Sequence, residues 1–180
     1  MLLAHDVEIA LVTTAALLNT SHDGRDKLID SAALEKFFAD HHVSGEIERT
    51  DGELEGVRAL RERLRTVWIG DVSLAAAGVN AMLADSGASP YLIEHDEWDW
   101  HLHFARPEAP AVQRLMAELA MGLADLIRAG QIDRLSTCRA PGCDAVLVDL
   151  SKNRSRMYCD TGNCGNRQHA AAYRARLQRT

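Results

Sequence analysis

All four cysteines of this 180-residue chain lie in its last quarter. They form two pairs with four residues inside each pair and fifteen residues between the pairs: Cys138, Cys143, Cys159 and Cys164. Two short pairs separated by an insert of this length let four thiolates converge on one tetrahedral ion at about 2.3 Å, the geometry of a closed structural zinc site. The spacing therefore predicts one structural Zn²⁺ per chain, held by all four thiolates.

Two disulfides, four unrelated buried thiols and an iron–sulfur cluster are the alternatives. The segment Met1–Asp6 has no basic region and its apolar run breaks at once, so we expect no secretory signal peptide. In a reducing cytosol, paired cysteines favour a metal over disulfides. A catalytic zinc site keeps three protein ligands and an open position, so four thiolates favour a structural role. The iron–sulfur cluster stays open as the lesser alternative.

The composition bounds the class of protein. No apolar run approaches the roughly 20 residues needed to cross a bilayer, so we expect a cytoplasmic protein with no membrane partner. With 47% hydrophobic residues, the chain can bury one medium core with a small appendage. Arginine outnumbers lysine 17 to 3 and alanine is abundant, which is typical of a GC-rich bacterial genome.

Charge is divided unevenly along the chain. Residues 1–137 hold 12 basic and 23 acidic side chains, a balance of −11, whereas residues 138–180 hold 8 and 3, a balance of +5. Four thiolates and one Zn²⁺ would lower the second balance to about +3. A basic tip on an acidic body indicates an anionic partner for the tip, and DNA is the first candidate.

Apolar periodicity predicts a helical domain over residues 1–130. The first helix is expected to end near Asn19, before a loop at residues 21–24. The second is expected to begin at Ser31 as its N-cap and to end near residues 43–45. The side chains predicted to face the core from these two helices are Ile9, Val12, Thr13, Ala16, Leu17, Leu34, Phe37 and Phe38.

Three further helices are predicted in this domain. Thr50 and Glu53 have the spacing of a capping box, Asp71 is a candidate N-cap, and the last helix is expected from about Glu108 to Gly130. The apolar side chains predicted to face the core are Leu54, Val57, Leu60, Leu64 and Val67 in the third helix, Leu74, Ala77, Gly78, Ala81 and Met82 in the fourth, and Val112, Leu115, Met116, Leu119, Leu123, Leu126 and Ile127 in the last.

The third helix also carries an arginine-rich face. Glu55 and Glu62 interleave with these arginines at distances that permit ion pairs within a helix. We therefore interpret the face as solvated rather than as a nucleic-acid surface. The arginines are Arg58, Arg61, Arg63 and Arg65.

A period-2 pattern after Pro90 predicts a small β-hairpin. Residues 91–93 would form its first strand. The second would bury one face made of Trp98, Trp100, Leu102 and Phe104.

The opposite face of this second strand holds His101 and His103 beside Asp99. An H-x-H pair is a known ligand spacing, so the group is a candidate metal or catalytic cluster. We prefer the interpretation that these are the polar residues of a half-exposed strand, because the sequence identifies no third ligand.

Residues 131–180 are predicted to form a treble-clef-like zinc finger. Residues 138–143 would form a knuckle with a turn at Pro141-Gly142. A β-hairpin would pair residues 145–149 with 156–159, and a helix would begin at Cys164, where the helix dipole favours a thiolate. The predicted fold class is thus mainly α with a small β-hairpin, as a helical amino-terminal domain plus a carboxyl-terminal treble-clef-like finger.

Two runs of the chain resemble a known family. The run Cys164-Gly165-Asn166-Arg167 spells the motif of the CGNR zinc fingers, and residues 149–156 resemble the D-x-S-[RK]-N-R-S-R stretch of that family. Residues 17–20 and 57–65 resemble the ABATE-type domain usually fused ahead of this finger. Where many members have an Arg-Arg-Trp-Cys run, this chain has Met157 and Tyr158 in the middle.

The resemblance implies a stress-induced transcription regulator, in which the first domain senses a ligand or mediates association, including formation of a homodimer, and the finger binds DNA. In the finger helix, Ala170, Tyr173 and Leu177 form an apolar seam expected to pack on the hairpin. Arg167 has two equally weighted roles, phosphate contact or bracing the hairpin. The residues predicted to contact DNA are Lys152, Arg154, Arg156, Arg167, Arg174 and Arg176.

The alternative is a protein–protein adaptor that uses the finger as an interface, since +3 is a modest charge for a DNA-binding module. No nucleophile–base pair, phosphate loop or dinucleotide fingerprint is recognisable, so we expect no enzyme. Removal of the metal is expected to unfold the finger and to leave the helical domain largely folded.

Overall fold

The computed structural model describes residues 3–43, 45–95 and 98–177, with every side chain in these ranges except those of His95, Trp98 and Asp99. The described chain is mainly helical, and the predicted fold class is confirmed. The six helices are α1 (His5–Leu18), α2 (Ser31–Asp40), α3 (Asp51–Ile69), α4 (Val72–Ser86), α5 (Ala111–Arg128) and α6 (Cys164–Leu177). Six strands form three antiparallel pairs, β1 (Ser21–His22) with β2 (Arg25–Asp26), β3 (Tyr91–His95) with β4 (Trp98–His103), and β5 (Leu135–Thr137) with β6 (Val146–Val148). The division of the chain after residue 130 stays a prediction.

Side-chain caps begin three of the helices. Asp71 accepts hydrogen bonds from the backbone N–H groups of Ser73 and Leu74 at 2.8 and 3.0 Å, as predicted. The cap of α2 is Asp30, one residue before the predicted Ser31. That helix also ends at Asp40, earlier than predicted.

The early end of α2 has a local cause. His42 lies in the left-handed region at φ 52°, and the N–H of Val43 donates to the carbonyl of Phe38 at 2.9 Å. This bond spans six residues and closes the last turn in the manner of a Schellman motif. The apolar periodicity that continues to Val43 therefore belongs to the cap and not to the helix.

The start of α3 differs from a simple capping box. The hydroxyl of Thr50 accepts from the N–H of Glu53 at 3.2 Å, as predicted. The Glu53 carboxylate reaches past the N-cap and accepts from the N–H groups of Arg49 at 3.1 Å and Glu48 at 3.4 Å. The buried carboxylate thus also fixes the loop that leads into the helix.

The core of the body lies among α1, α3, α4 and α5. The predicted stripes of α3 and α5 are buried, including Leu60, Leu64 and Leu123, except that Val112 and Ile127 of α5 are half-buried. Helix α1 crosses α5 at a glycine: a Cβ at Gly122 would lie 2.6 Å from the Cβ of Ala10. The two helices can approach so closely because Gly122 has no Cβ.

The predicted inward faces of α1 and α4 are wrong in part. Val12 is 47% exposed and Leu74 is 60% exposed, whereas the predicted Thr13, Leu17 and Met82 are buried. The other buried side chains are Val7, Leu11, Thr14, Ala15 and Leu18 in α1 and Ala75, Val79 and Ser86 in α4. Both helices are apolar or alanine-rich on nearly every side. Periodicity therefore cannot select a face, and the neighbouring helices decide it.

The predicted loop at residues 21–24 is a tight hairpin. Asp23 and Gly24 have φ values of 54° and 68° between β1 and β2. Two consecutive positive φ angles are what a two-residue type I′ turn requires, and an Asp-Gly pair supplies them.

The predicted hairpin at residues 91–103 is present, but its orientation is the reverse of the one expected. Trp100 is 66% exposed, and Leu92 and Leu102, which pair across the strands, are also exposed. The side chains of the other face are half-buried, and Phe104 is buried just after the strand ends. The prediction also places Trp98 and Asp99 on opposite faces of this strand, but their side chains lie outside the part of the chain that the structure describes.

The finger strands pair differently from the prediction. Strand β6 pairs with β5, upstream of the knuckle, and residues 156–159 form no strand. A single backbone bond, from Arg139 N–H to the Met157 carbonyl at 2.9 Å, ties that later segment to the knuckle. The hairpin of the finger therefore surrounds the first cysteine pair.

Candidate metal centre

The knuckle of β5 and β6 presents the first cysteine pair. The N–H of Cys138 donates to the Ala145 carbonyl at 2.8 Å, and the N–H of Cys143 donates to Ala140 at 3.1 Å. Gly142 supplies the φ of 72° that the turn needs. The second pair comes from the segment before α6 and from its first residue, Cys164, as predicted.

The four sulfurs form a compact group. All lie within 4.8 Å of one another, with Cys143 to Cys159 at 3.7 Å and Cys159 to Cys164 at 3.8 Å. A tetrahedron with metal–sulfur bonds of about 2.3 Å has edges of about 3.8 Å. A disulfide would require two sulfur atoms about 2.05 Å apart. The group therefore fits one tetrahedral ion and not two disulfides.

The surroundings of the sulfurs also favour a bound cation. Three of the cysteines are buried and Cys143 is half-buried. Burial raises the pKa of Cys143 to about 12, so four thiolates need a cation to coexist in this place. The Cys159 N–H contacts the Cys138 sulfur at 3.4 Å and stabilises a thiolate there.

The residues of the C-G-N-R run act locally. The Arg167 guanidinium donates to the Cys164 sulfur at 3.0 Å. This contact is with the metal centre and not with the hairpin, so it is neither of the two roles considered for this arginine. Asn166 Nδ2 donates to Asn163 Oδ1 at 2.6 Å. Asn163 has a φ of 52°, so the two asparagines hold a left-handed residue at the entrance to α6.

Asp149 organises the other quoted run. Its carboxylate is buried and accepts from the N–H groups of Ser151 at 2.9 Å and Arg156 at 2.8 Å. Burial acts to raise its pKa, but these hydrogen bonds and the nearby Arg134 hold the pKa below its usual value. The loop after β6 is thus built around one ionised carboxylate.

The six predicted DNA-contacting cations divide into two groups. Arg154 pairs with Asp133, Arg156 pairs with Asp160, and Arg167 contacts Cys164. Lys152 and Arg174 are exposed, and no described side chain forms an ion pair with them. Arg176 is exposed on α6.

The predicted apolar seam of the finger helix is wrong. Ala170, Tyr173 and Leu177 are exposed, and after Gln168 the described residues of α6 have no buried side chain. The helix packs on the finger only near its start, where Cys164 is buried and His169 contacts the ring of Tyr158, because the hairpin that the seam was to cover lies elsewhere.

The arginine-rich face of α3 is also not a solvated surface. The guanidinium of Arg61 is buried between Thr20 and Asp26. Arg58 donates to the carbonyl of Leu28 at 3.1 Å, and Arg65 donates to that of Leu18 at 2.9 Å. These side chains secure the segment between α1 and α2, so the nucleic-acid interpretation also fails for them.

The joint between body and finger depends on a residue whose role the sequence did not reveal. Asn19 Nδ2 donates to the Val146 carbonyl at 2.9 Å, and Asn19 Oδ1 accepts from the Val146 N–H at 2.8 Å. The amide thus pairs with β6 as a neighbouring strand would. Trp68 Nε1 donates to the Ser136 carbonyl at 3.2 Å, and His22 contacts Asp144 beside the knuckle.

Strand β6 is shared by two cores. Val146 and Val148 belong to the large core of the body, whereas Leu147 packs with the cysteines. Successive side chains of a strand point to opposite sides, so three residues connect the body to the metal centre.

A cavity of about 420 Å³ lies at this joint. The finger contributes β6, Arg156, Asp160 and Thr161. The body contributes four apolar residues of α1 and α2 and the polar residues Asn19, Thr20, Lys27, Asp40 and His41. A second cavity, of about 590 Å³, lies at the base of the β3–β4 hairpin and has no aromatic side chain among its described lining residues.

A helical body joined to a finger with a four-cysteine centre at a knuckle and a helix start defines the class of treble-clef-like zinc-finger proteins. The model of the CGNR zinc finger matches residues 134–177. The ABATE model, described as "Putative stress-induced transcription regulator", matches residues 11–130, two thirds of the chain. The chain therefore belongs to the ABATE family and carries a CGNR zinc finger. A comparison with curated proteins found no match. No helix in the described ranges is long and apolar enough to cross a membrane.

Proposed function

We propose that this protein is a transcription regulator of the bacterial cytoplasm, active in a stress response, whose finger binds DNA and whose body senses a ligand. The observation that carries the proposal is α6, which leaves the metal centre with all its later side chains exposed and with Arg174 and Arg176 on its surface. The major groove of DNA admits a helix of this kind. We propose no enzymatic activity.

The metal in this proposal is one structural Zn²⁺ per chain. Cys138, Cys143, Cys159 and Cys164 would hold it, and its charge would keep their thiolates ionised. Arg167 donates to the Cys164 sulfur and so orients one ligand from outside the shell. The zinc would contribute to DNA binding only indirectly, by fixing the position of the start of α6.

Phosphate contact would come from the exposed cations. Lys152 and Arg174 can contact phosphate without losing a carboxylate partner, whereas Arg154 and Arg156 must first part from Asp133 and Asp160. We therefore rank Lys152 and Arg174 above the two paired arginines, and we assign Arg167 to the metal centre first.

The salt dependence of DNA affinity tests this proposal. For the zinc-loaded full chain and a random-sequence duplex, the logarithm of the association constant should fall with the logarithm of the salt concentration, at about −0.9 per phosphate contact. Lys152→Ala and Arg174→Ala should each reduce this slope by roughly one unit, measured by fluorescence anisotropy. Arg128→Ala, in an exposed ion pair with Asp125 on the body, is the matched control and should leave the slope unchanged.

Tyr173 and Leu177 favour a second candidate, the protein–protein adaptor. Both are large, apolar and exposed on α6, and exposed apolar groups beside arginine are typical of protein interfaces. If the zinc-loaded chain does not bind duplex, or binds with no salt dependence, the DNA proposal fails and the adaptor replaces it.

The cavity at the joint is our proposed effector site. A ligand there would touch the body and the finger together, so its binding could change how the finger is held. Among the described lining residues, Lys27 is a cation with no ion pair, and the α1 wall is apolar, which suits a small hydrophobic carboxylic acid.

A thermal-shift screen of such acids tests the effector site. A binding acid should raise the melting temperature of the zinc-loaded chain, and Val12→Glu, which places a like charge on the exposed wall of the cavity, should abolish the rise. Leu74→Glu, at an exposed position of α4 outside the cavity, is the control. A rise that survives Val12→Glu would place the ligand elsewhere. Association of the body into a homodimer stays a prediction that sedimentation checks.

A further inference from the structure

Two histidines of the hairpin approach each other on the side that faces the body. His101 and His103 occupy alternate positions of β4 and therefore share one face of the strand. Their Nε2 atoms are 3.1 Å apart and their ring centroids are 5.0 Å apart. The side chain of His103 is 17% exposed, so the pair sits at the edge of the hydrophobic interior.

The separation of the two nitrogens suits a shared metal ion. Two imidazole nitrogens bound to one ion at about 2.0–2.1 Å and 3.1 Å apart subtend an angle of about 95–102° at the metal. That range lies between the right angle of octahedral and square-planar coordination and the tetrahedral angle, so it suits the usual coordination of transition-metal ions. The same separation is that of a hydrogen bond in which one Nε2 donates and the other accepts, so at least one Nε2 carries a lone pair that a metal could bind.

A carboxylate lies behind one of the rings. Glu118 on α5 places its Oε1 3.7 Å from Nδ1 of His103, and the same oxygen accepts from the Phe104 N–H at 3.1 Å. The Nδ1 side of a metal-bound imidazole ordinarily faces a carboxylate, which fixes the tautomer and strengthens the ligand. Strand β4 and helix α5 therefore provide both the ligand pair and its support.

The electrostatic setting is consistent with a cation. Burial is the main cause that raises the pKa of Glu118 to about 7; the hydrogen bond from the Phe104 N–H opposes this rise and the nearby Asp6 adds to it. A divalent ion on the two rings would stabilise the ionised carboxylate. The region 1–137 as a whole carries a balance of −11, which also favours a cation there.

We propose that His101 and His103 form a second metal site, in the body, which holds a divalent transition-metal ion through their Nε2 atoms, with Glu118 positioning His103. Imidazole ligands suit Ni²⁺, Cu²⁺ and Zn²⁺, whereas the four thiolates of the finger form a softer and closed site. Two protein ligands among the described residues leave coordination positions for water or a small ligand. The proposal goes beyond DNA binding and does not depend on it.

Metal titration of the full chain tests the proposal. Zinc-loaded protein titrated with Ni²⁺ in a calorimeter should bind one further equivalent while the finger keeps its zinc. His101→Ala and His103→Ala should each weaken that second equivalent at least tenfold. Glu118→Gln, which keeps the shape and removes the charge, should weaken it by about 10–100-fold. His42→Asn, which removes an exposed imidazole of the body and keeps a residue type that tolerates its left-handed φ, is the control and should leave the second equivalent unchanged.

A second measurement covers variants that fail to fold. In the wild-type chain, a second equivalent of Zn²⁺ should shift the imidazole ¹⁵N resonances of two histidines, assigned as His101 and His103, at Nε2. The competing group is His22 with Asp23 and Asp144, whose ligand atoms also lie within 4.8 Å of one another. The proposal is overturned if no second equivalent binds, or if it survives both hairpin variants and is lost in His22→Ala. Neither outcome bears on DNA binding.

Discussion

At the scale of single residues, a few buried polar side chains determine how the loops of the body are held. The guanidinium of Arg61, 6% exposed, donates to both carboxylate oxygens of Asp26, at 2.8 and 2.6 Å, and to the hydroxyl of Thr20 at 2.9 Å. The Arg61 guanidinium holds the pKa of Asp26 below its usual value. The pair anchors the β1–β2 turn to α3, which no apolar contact of that turn could do.

Asp26→Asn should therefore destabilise the fold by about 2–3 kcal/mol, less than a fully buried pair, because Asp26 is 34% exposed. The folded pKa of Asp26 lies below the ordinary value of 3.8, so its stabilisation is complete above that pH and is lost as the pH falls through the folded pKa. The free energies of unfolding of the wild type and the variant, measured in urea, should converge in acid.

Asp85→Asn is the control: it breaks an exposed pair with Arg63 and should lower the free energy of unfolding by less than about 1 kcal/mol. Equal losses in the two variants would contradict the assignment.

At the scale of elements, the β3–β4 hairpin shows that strand alternation identifies a face but not its environment. Leu92, Trp100 and Leu102 have the pattern of a buried face, yet they are exposed. The half-buried face carries two histidines, and Glu118 of α5 lies against one of them. Exposing these apolar side chains to water costs free energy. The contacts of Glu118 with His103 and with the Phe104 N–H favour the opposite face toward α5.

Trp100→Thr should therefore change the free energy of unfolding by less than about 0.5 kcal/mol, since an exposed side chain loses little when it is truncated. Phe104 lies four residues further along the chain and is buried against Ala117, so Phe104→Ala should lower the free energy of unfolding by about 3–5 kcal/mol. Urea unfolding of the two variants measures the contrast. A large loss for Trp100→Thr would show that the apolar face is covered in solution.

At the scale of the whole molecule, the finger is not an independent appendage. Val146 and Val148 of β6 complete the core of the body, and Asn19 and Trp68 bond to the backbone of the finger hairpin. From the sequence alone, we expect the body to stay largely folded when the metal is lost. The shared strand indicates that part of its stability depends on the finger.

Chelation of the zinc should unfold the finger, whose metal supplies an apparent free energy on the order of 10–16 kcal/mol. It should also lower the stability of the body by about 2–4 kcal/mol, because two valines lose their place in its core. The urea midpoint followed by the fluorescence of buried Trp68 measures this loss.

Asn19→Ala is the companion variant, because it breaks the joint without touching a cysteine. It should lower the same midpoint while the zinc content stays at one per chain. Asn153→Ala, an exposed asparagine of the finger loop, is its control. An unchanged midpoint after chelation would mean that body and finger fold independently.

What the sequence determined by itself are the features that depend on neighbours a few residues away. The cysteine spacing, the caps at Thr50 and Asp71 and the stripes of α3 and α5 all follow from local hydrogen bonds or from a single strong periodicity. Tertiary contacts decided which face each ambiguous helix buries, which strand each ambiguous strand pairs with, and which partner a long polar side chain binds. Helix α1, apolar on nearly every side, could bury any of several faces. Strand β6 could pair with a strand before or after it, and Arg61 could face water or Asp26, 35 residues away. Each choice is settled by the free energy of contacts between distant segments, which local propensity and periodicity do not contain.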